Sequence, residues 1–281
     1  MSTDLLRRVD DGRKRVSDVP GDVGFNTYVH WQHLKDVLFV LTQKEIKVRY
    51  KSSWLGYAWS VANPLTFAFV YVIAFGVIIR VDIPHYPLFL IAGLFPWQWL
   101  SNSISASPNI FLANASLLKK VRFPRNVLVA ATVLNDGLHF VLSIPVIIGF
   151  LLVYGLTPSW PWFIGVPLLA LAQLSLVYGL ALAIASLNLF FRDLERLTTL
   201  FMTFLLFLTP VVYSESMIPP PYEVLIYLNP IAPLILSWRN LFLSGRVEWS
   251  LVALAYGYAL LAVGLGSGIY HKLSLKFAEV V

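Results

Sequence analysis

The chain has no cysteine among its 281 residues. That excludes disulfides, a thiol nucleophile and a thiolate metal site, while leaving the compartment open. It is also poor in charge, with 13% Asp, Glu, Lys and Arg where a soluble domain carries about 25%. No G-x-x-x-x-G-K-S/T loop occurs, nor any Gly-Lys pair, so this chain lacks the usual phosphate cradle and nucleotide work would fall to a partner. The basic residues near the start, Arg7, Arg8, Arg13, Lys14 and Arg15, are interspersed with Asp10, Asp11, Asp18 and Asp22. No apolar run follows them at signal-peptide distance, so no cleaved signal is expected.

What is present is apolar. Hydrophobic residues make up 58% of the chain and the mean hydropathy is +0.71. Such a chain cannot cover a globular surface with polar groups, so lipid must be most of its solvent. The net charge of +6 then speaks to orientation, and no nucleic-acid partner is expected. Residues 1–28 read as a flexible cytoplasmic tail and 29–281 as one transmembrane domain.

Residues 29–43, "VHWQHLKDVLFVLTQ", are too short to cross about 30 Å of hydrocarbon. Leu34, Val37, Leu38 and Leu41 share one helix face, which predicts an amphipathic helix lying in the membrane surface. Six spans follow: Leu55–Ile79, Leu88 to about Ser107, Val127–Tyr154, Trp162–Phe191, Leu197–Val212 and Trp249–Tyr270. The second is weak, containing Pro96 and then the polar run "SNSISASPN", which needs protein or water to face. Residues 222–243 are long enough for a seventh span. Pro230 and Pro233 remove backbone donors at their centre, and Arg239 is costly in lipid, so re-entrant or interfacial helices on the outer side are the preferred reading. Six spans place 18 of the 21 Lys and Arg on the side of the N-terminus, leaving Arg80, Arg239 and Arg246 opposite. Seven spans exchange Arg239 and Arg246 for Lys272 and Lys276 and give the same split, so charge alone does not decide. The excess marks the cytoplasmic side, with both termini on it in the six-span case.

Candidate polar chemistry is sparse. Asp136 is the only carboxylate inside a predicted span, about 11 residues or roughly 16 Å beyond Arg125, where a charge costs at least about 2.5 kcal/mol. With Asn135 and His139 it could fix helix packing, line a wet channel or relay protons. His30, His33 and Asp36 stand one turn apart on the surface helix but lack a fourth ligand, so no metal site is expected. Among the aromatics, Trp54, Trp160 and Trp162 fit an interfacial belt. Phe95, Trp97 and Trp99 of "FPWQW" abut the Ser/Asn-rich stretch, and flat rings offer an apolar face to the C–H side of a sugar. They are the first candidates for a substrate channel, followed by Tyr57, Trp59 and Tyr71.

Four ordered stretches resemble one family. "KEIKVRYKSSWLGYAWSVANP" at 44–64 is similar to the start of the first span in ABC-2 type permeases of the polysaccharide-export branch. "LLKKVRFPRNVL" at 117–128, "NLFFRDLERL" at 188–197 and "YLNPIAPLILSWRNLFLSG" at 227–245 follow in the family's order. The resemblance implies an inner-membrane subunit, not an enzyme, that forms a homodimer with a channel at its interface and exports a lipid-linked polysaccharide. It implies two ATP-binding cassette subunits as partners, which would bind ATP and Mg, with no cofactor in this chain. It also implies that "LLKKVRFPR" is the coupling segment, so that Lys119, Lys120, Arg122 and Arg125, with Arg192 and Asp193 on the second turn, would face the ATPase. The same charges serve equally as membrane anchors. An ABC-2 permease for a drug or lipid, an integral-membrane glycan-processing enzyme, and a passive scaffold are the rival readings. The enzyme is disfavoured because the outer carboxylates Asp82, Glu215, Glu223 and Glu248, with His85, form no ligand cluster in the sequence.

Overall fold

The computed structural model describes residues 38–44, 59–120 and 123–277. The predicted tail, His30, His33, Asp36, Trp54, Tyr57 and Arg122 lie outside the described residues, as does the side chain of Lys120. Among the described residues the fold is all-helical, without a strand. A helical segment at 38–44 (α1) is followed by α2, Trp59–Tyr71, which continues as a π-helix over Val72–Ile78. Then come α3, Tyr86–Ala106, the short α4, Ile110–Ala113, and α5, Ala115–Lys120. Two long helices, α6 (Asn126–Val153) and α7 (Trp162–Asn188), lead to α8, Leu194–Leu208. Finally α9 (Val224–Leu228) and α10 (Ala232–Arg239) precede α11, Trp249–Ser274.

Among the described residues three helices, α6, α7 and α11, are each long and apolar enough to cross a membrane. The weak second stretch of the sequence turns out to be the centre of the protomer. α3 packs against α2, α6, α7, α8 and α10, and Leu88, Leu90, Ala92 and Leu100 on it are fully enclosed. Its low hydropathy follows from that position, because a helix surrounded by protein can satisfy polar groups there instead of presenting them to lipid. Gln173 of α7 donates to the carbonyl of Pro96 (2.8 Å), and Asn188 donates to the carbonyl of Pro108 (2.8 Å).

The tightest pairing is between α7 and α11. Gly179 and Gly266 meet backbone to backbone, and a methyl on either would overlap the facing chain. Small residues permit this approach, and with it dispersion and Cα–H contacts that larger side chains would prevent. The prolines at 230 and 233 break the 222–243 stretch in two, as their missing donors require. Asn229 bridges the break. Its Oδ1 accepts from the Ile231 amide (3.0 Å) and its Nδ2 donates to Thr209 Oγ1 (2.9 Å). Pro233 then sits in the first turn of α10, where no intrahelical donor is lost.

Candidate functional site

Lys119, Arg125, Arg192, Arg196, Lys272 and Lys276 lie at one end of the helices, the basic end, by the direction of the chain through α5–α8 and α11. Lys119, Arg192 and Asp193 are exposed there. Arg125 is half-buried, its guanidinium carbon 5.6 Å from the centre of the Phe277 ring. Phe277 itself is fully enclosed. It touches Phe111 of α4 (ring centroids 5.2 Å apart), Tyr270 of α11 (5.9 Å) and Phe190 after α7 (6.4 Å). Three separate turns of the basic end therefore converge on one ring. Segment α1 joins the same end: Lys44 Nζ donates to Asn114 Oδ1 (2.8 Å), and Leu41 is buried, as its place on the predicted apolar face requires.

The aromatics divide into two groups. Phe95, Trp97 and Trp99 are only 2%, 3% and 4% exposed, so they pack inside the protomer and offer no surface to a channel between protomers. This corrects the expectation placed on "FPWQW". Trp99 Nε1 donates to the Val133 carbonyl (3.0 Å), and its ring stacks on Phe140 at 5.5 Å. Phe140 meets Trp238 at 4.8 Å, and Trp238 stacks on Phe242 at 5.2 Å. Trp238 Nε1 in turn donates to Gln173 Oε1 (2.6 Å). A ring column thus links α3, α6 and α10, with each indole N–H satisfied as burial demands.

Trp59, by contrast, is 50% exposed and Tyr71 is half-buried. The sequence reading missed a further row, Phe201, Phe204 and Phe207 on α8, which are all exposed beside Thr199 and Thr203. Their i, i+3 spacing was legible as a stripe, but in a membrane helix a lipid-facing stripe has the same spacing, so the pattern does not show which face is inward. At 15 residues, α8 is about 22 Å long, shorter than the hydrocarbon thickness. Its hydroxyls donate back to the helix, Thr199 to the Glu195 carbonyl (3.1 Å) and Thr203 to that of Thr199 (3.0 Å), so this exposed face suits either lipid or a second protein surface.

Asp136 is buried, and Ser103 Oγ donates to its Oδ2 (2.8 Å). His139 lies one turn on and is half-buried. The pair thus sits at the α3–α6 contact, with Asn135 Oδ1 enclosed nearby and lacking a hydrogen-bond partner. No group of three or more His, Asp or Glu able to hold a metal exists among the described residues.

At the opposite end, Arg239 is 5% exposed. Its Nη2 donates to the carbonyl of Val211 (2.8 Å), in the turn after α8, and its guanidinium lies 3.7 Å from the centre of the Phe89 ring. The same turn receives the Tyr86 hydroxyl on Val212 O (2.9 Å). Tyr258 of α11 donates to the carbonyl of Tyr227, tying down α9.

Comparison with known proteins adds a frame. The family described as ABC-2 type transporter matches residues 36–243. Two proteins of Klebsiella pneumoniae, both named O-antigen export system permease protein RfbA, are 46% identical over 249 residues and 47% identical over 251 residues. Each alignment covers 89% of this chain and 96% of the relative. A protein of the same name from Myxococcus xanthus is 34% identical over 251 residues, covering 88% of this chain and 96% of its own.

Proposed function

Because the chain belongs to the ABC-2 type transporter family, as a membrane-spanning permease subunit, we propose that it exports a lipid-linked polysaccharide of the O-antigen kind across the inner membrane. The observation that carries this reading is the likeness to O-antigen export permeases over 89% of the chain. Residues 29–281 act as one transmembrane domain of six spans, α2, α3, α6, α7, α8 and α11, with α9 and α10 re-entering from the outer side. The N-terminal tail and the C-terminus are cytoplasmic. Two copies pair, and two ATPase subunits, which bind ATP and Mg, dock on the basic end. The permease itself needs no cofactor.

In this reading the channel lies between protomers, where exposed rings can slide along the apolar faces of sugars while water solvates the hydroxyls. Trp59, Tyr57 and Tyr71 from the first span serve this wall, joined by Phe201, Phe204 and Phe207 of α8. Phe95, Trp97 and Trp99 support it from behind. Lys119, Lys120, Arg122, Arg125, Arg192 and Asp193 receive the stroke of the ATPase. Asp136 and His139 hold α3 to α6.

The test is ATP hydrolysis in lipid nanodiscs by the permease with its ATPase, with and without lipid-linked oligosaccharides of increasing length. Stimulation that grows with glycan length supports the reading. Hydrolysis raised only by a drug or free lipid overturns the polymer in favour of a small-substrate permease. An ATPase that neither binds nor is stimulated overturns the exporter.

A further inference from the structure

α9 presents an apolar surface with no cover among the described residues. Tyr222, Val224, Leu225, Tyr227 and Leu228, in and beside it, are all exposed. Of its five residues only Ile226 is buried, clustered with Leu236 of α10 and Leu251 of α11. No charged residue occurs from Val224 to Trp238. A patch of this kind needs an occupant. Water, a second copy and lipid are the choices, and depth and hydrogen bonding separate them.

Two helices set the depth of α9. Glu195 and Arg196 in the first turn of α8 are exposed charges, which are least costly at the membrane surface, so hydrocarbon begins near Leu197. From there to Leu208 the helix rises about 18 Å, which leaves about 12 Å of a ~30 Å core beyond its end. That end meets the end of α9: Asn229 Nδ2 donates to the carbonyl of Leu208 (3.3 Å) and to Thr209 Oγ1 (2.9 Å). On the other flank, Tyr258 donates to the Tyr227 carbonyl. Tyr258 lies nine residues along α11 from the exposed Trp249, about 13 Å, and its side chain leans back toward that end. Both routes place α9 inside the hydrocarbon, within about 13 Å of its boundary. The carbonyls agree with this. Leu208 and Tyr227 are exposed residues, yet the backbone oxygen of each is given a side-chain donor. Facing water, neither would need one; facing hydrocarbon, an open carbonyl is costly. The patch also continues onto α11, where Leu261, one turn beyond Tyr258, is exposed.

We propose that the exposed face of α9 is a docking surface for phospholipid acyl chains in the leaflet opposite the basic end, with Tyr258 holding it at that depth. This goes beyond the exporter reading, which needs α9 only to re-enter. It rests on the spans assigned there and not on the glycan.

The absence of cysteine lets Leu225→Cys and Leu228→Cys each carry a single NBD fluorophore, attached to the full-length permease before the ATPase is added in nanodiscs. Phosphatidylcholine with a nitroxide on its acyl chain should remove most of the emission at both positions. A nitroxide on the headgroup should remove less, and aqueous iodide little. Strong quenching by iodide overturns the surface by opening it to water. Quenching by none of the three overturns it in favour of a second copy. A stronger effect of the headgroup nitroxide overturns the depth. Failure of both variants to assemble also overturns the surface, since a lipid-facing leucine tolerates cysteine. Tyr258→Phe leaves the Tyr227 carbonyl without its donor and should make the probe at position 228 accessible to iodide; unchanged quenching there overturns the part given to Tyr258. Quenching is read with and without the ATPase bound. An ATPase that neither binds nor answers to glycan therefore overturns the exporter reading alone.

Discussion

Ser103 and Asp136 show how much a single hydroxyl does inside this protein. The Ser103 hydroxyl donates to a carboxylate that water does not reach, and removing it leaves part of that carboxylate's desolvation uncompensated. Ser103→Ala should therefore destabilise the protein by about 1–3 kcal/mol, read as a lowered melting temperature in detergent with no change in oligomeric state. Asp136 was legible from sequence because a carboxylate in an apolar span stands out on cost alone. Gln173 was not, although it joins Pro96 and Trp238, since one amide in an apolar run carries no periodic or charge signal. Trp97 and Trp99 were legible as unusual, and the inference drawn from them was wrong in direction. An aromatic next to a polar run fits a wet wall and a satisfied core equally well, and only the third dimension separates the two. Trp99→Ala should accordingly lose about 3–5 kcal/mol of stability, visible in thermal unfolding before any transport assay is run.

At the scale of elements, hydrophobic length found the long helices and misjudged the short ones. The boundaries expected for α6, Val127–Tyr154, differ by one residue at each end from the observed Asn126–Val153, because a long, predominantly apolar run has only one way to satisfy its backbone in lipid. α3 was read as weak because hydropathy scales score a helix as if lipid surrounded it, and this one is surrounded by five others. The split of 222–243 was legible from its two prolines, whereas the burial of all eight residues of α10 was not. α8 supplies the prediction proper to this scale. Its exposed phenylalanines contribute little to folding, so Phe204→Ala should assemble normally yet lower glycan-stimulated ATP hydrolysis several-fold. Nanodisc assays at matched permease content check this. An equal loss in basal and stimulated hydrolysis would remove α8 from the substrate path.

For the molecule as a whole, the decisive arrangement is the convergence of three basic-end turns on Phe277. A push delivered to α5 can move the helices behind it as a body only if those turns are joined. A chain ending at Lys276 should still insert and bind its ATPase, while the permease's stimulation of hydrolysis falls and the residual hydrolysis no longer responds to glycan. Phe277→Leu, which keeps most of the volume, should restore the response in part. The contact of Gly179 with Gly266 has a different reach, because it concerns time. A ribosome adding about 5–20 residues per second completes α7 several seconds before α11 emerges. Throughout that interval the face of α7 destined for the closest contact in the protein stands open in the bilayer. The most intimate pairing is thus among the last to form, and α7 passes its first seconds in need of a chaperoning neighbour, a role that falls to the insertion machinery.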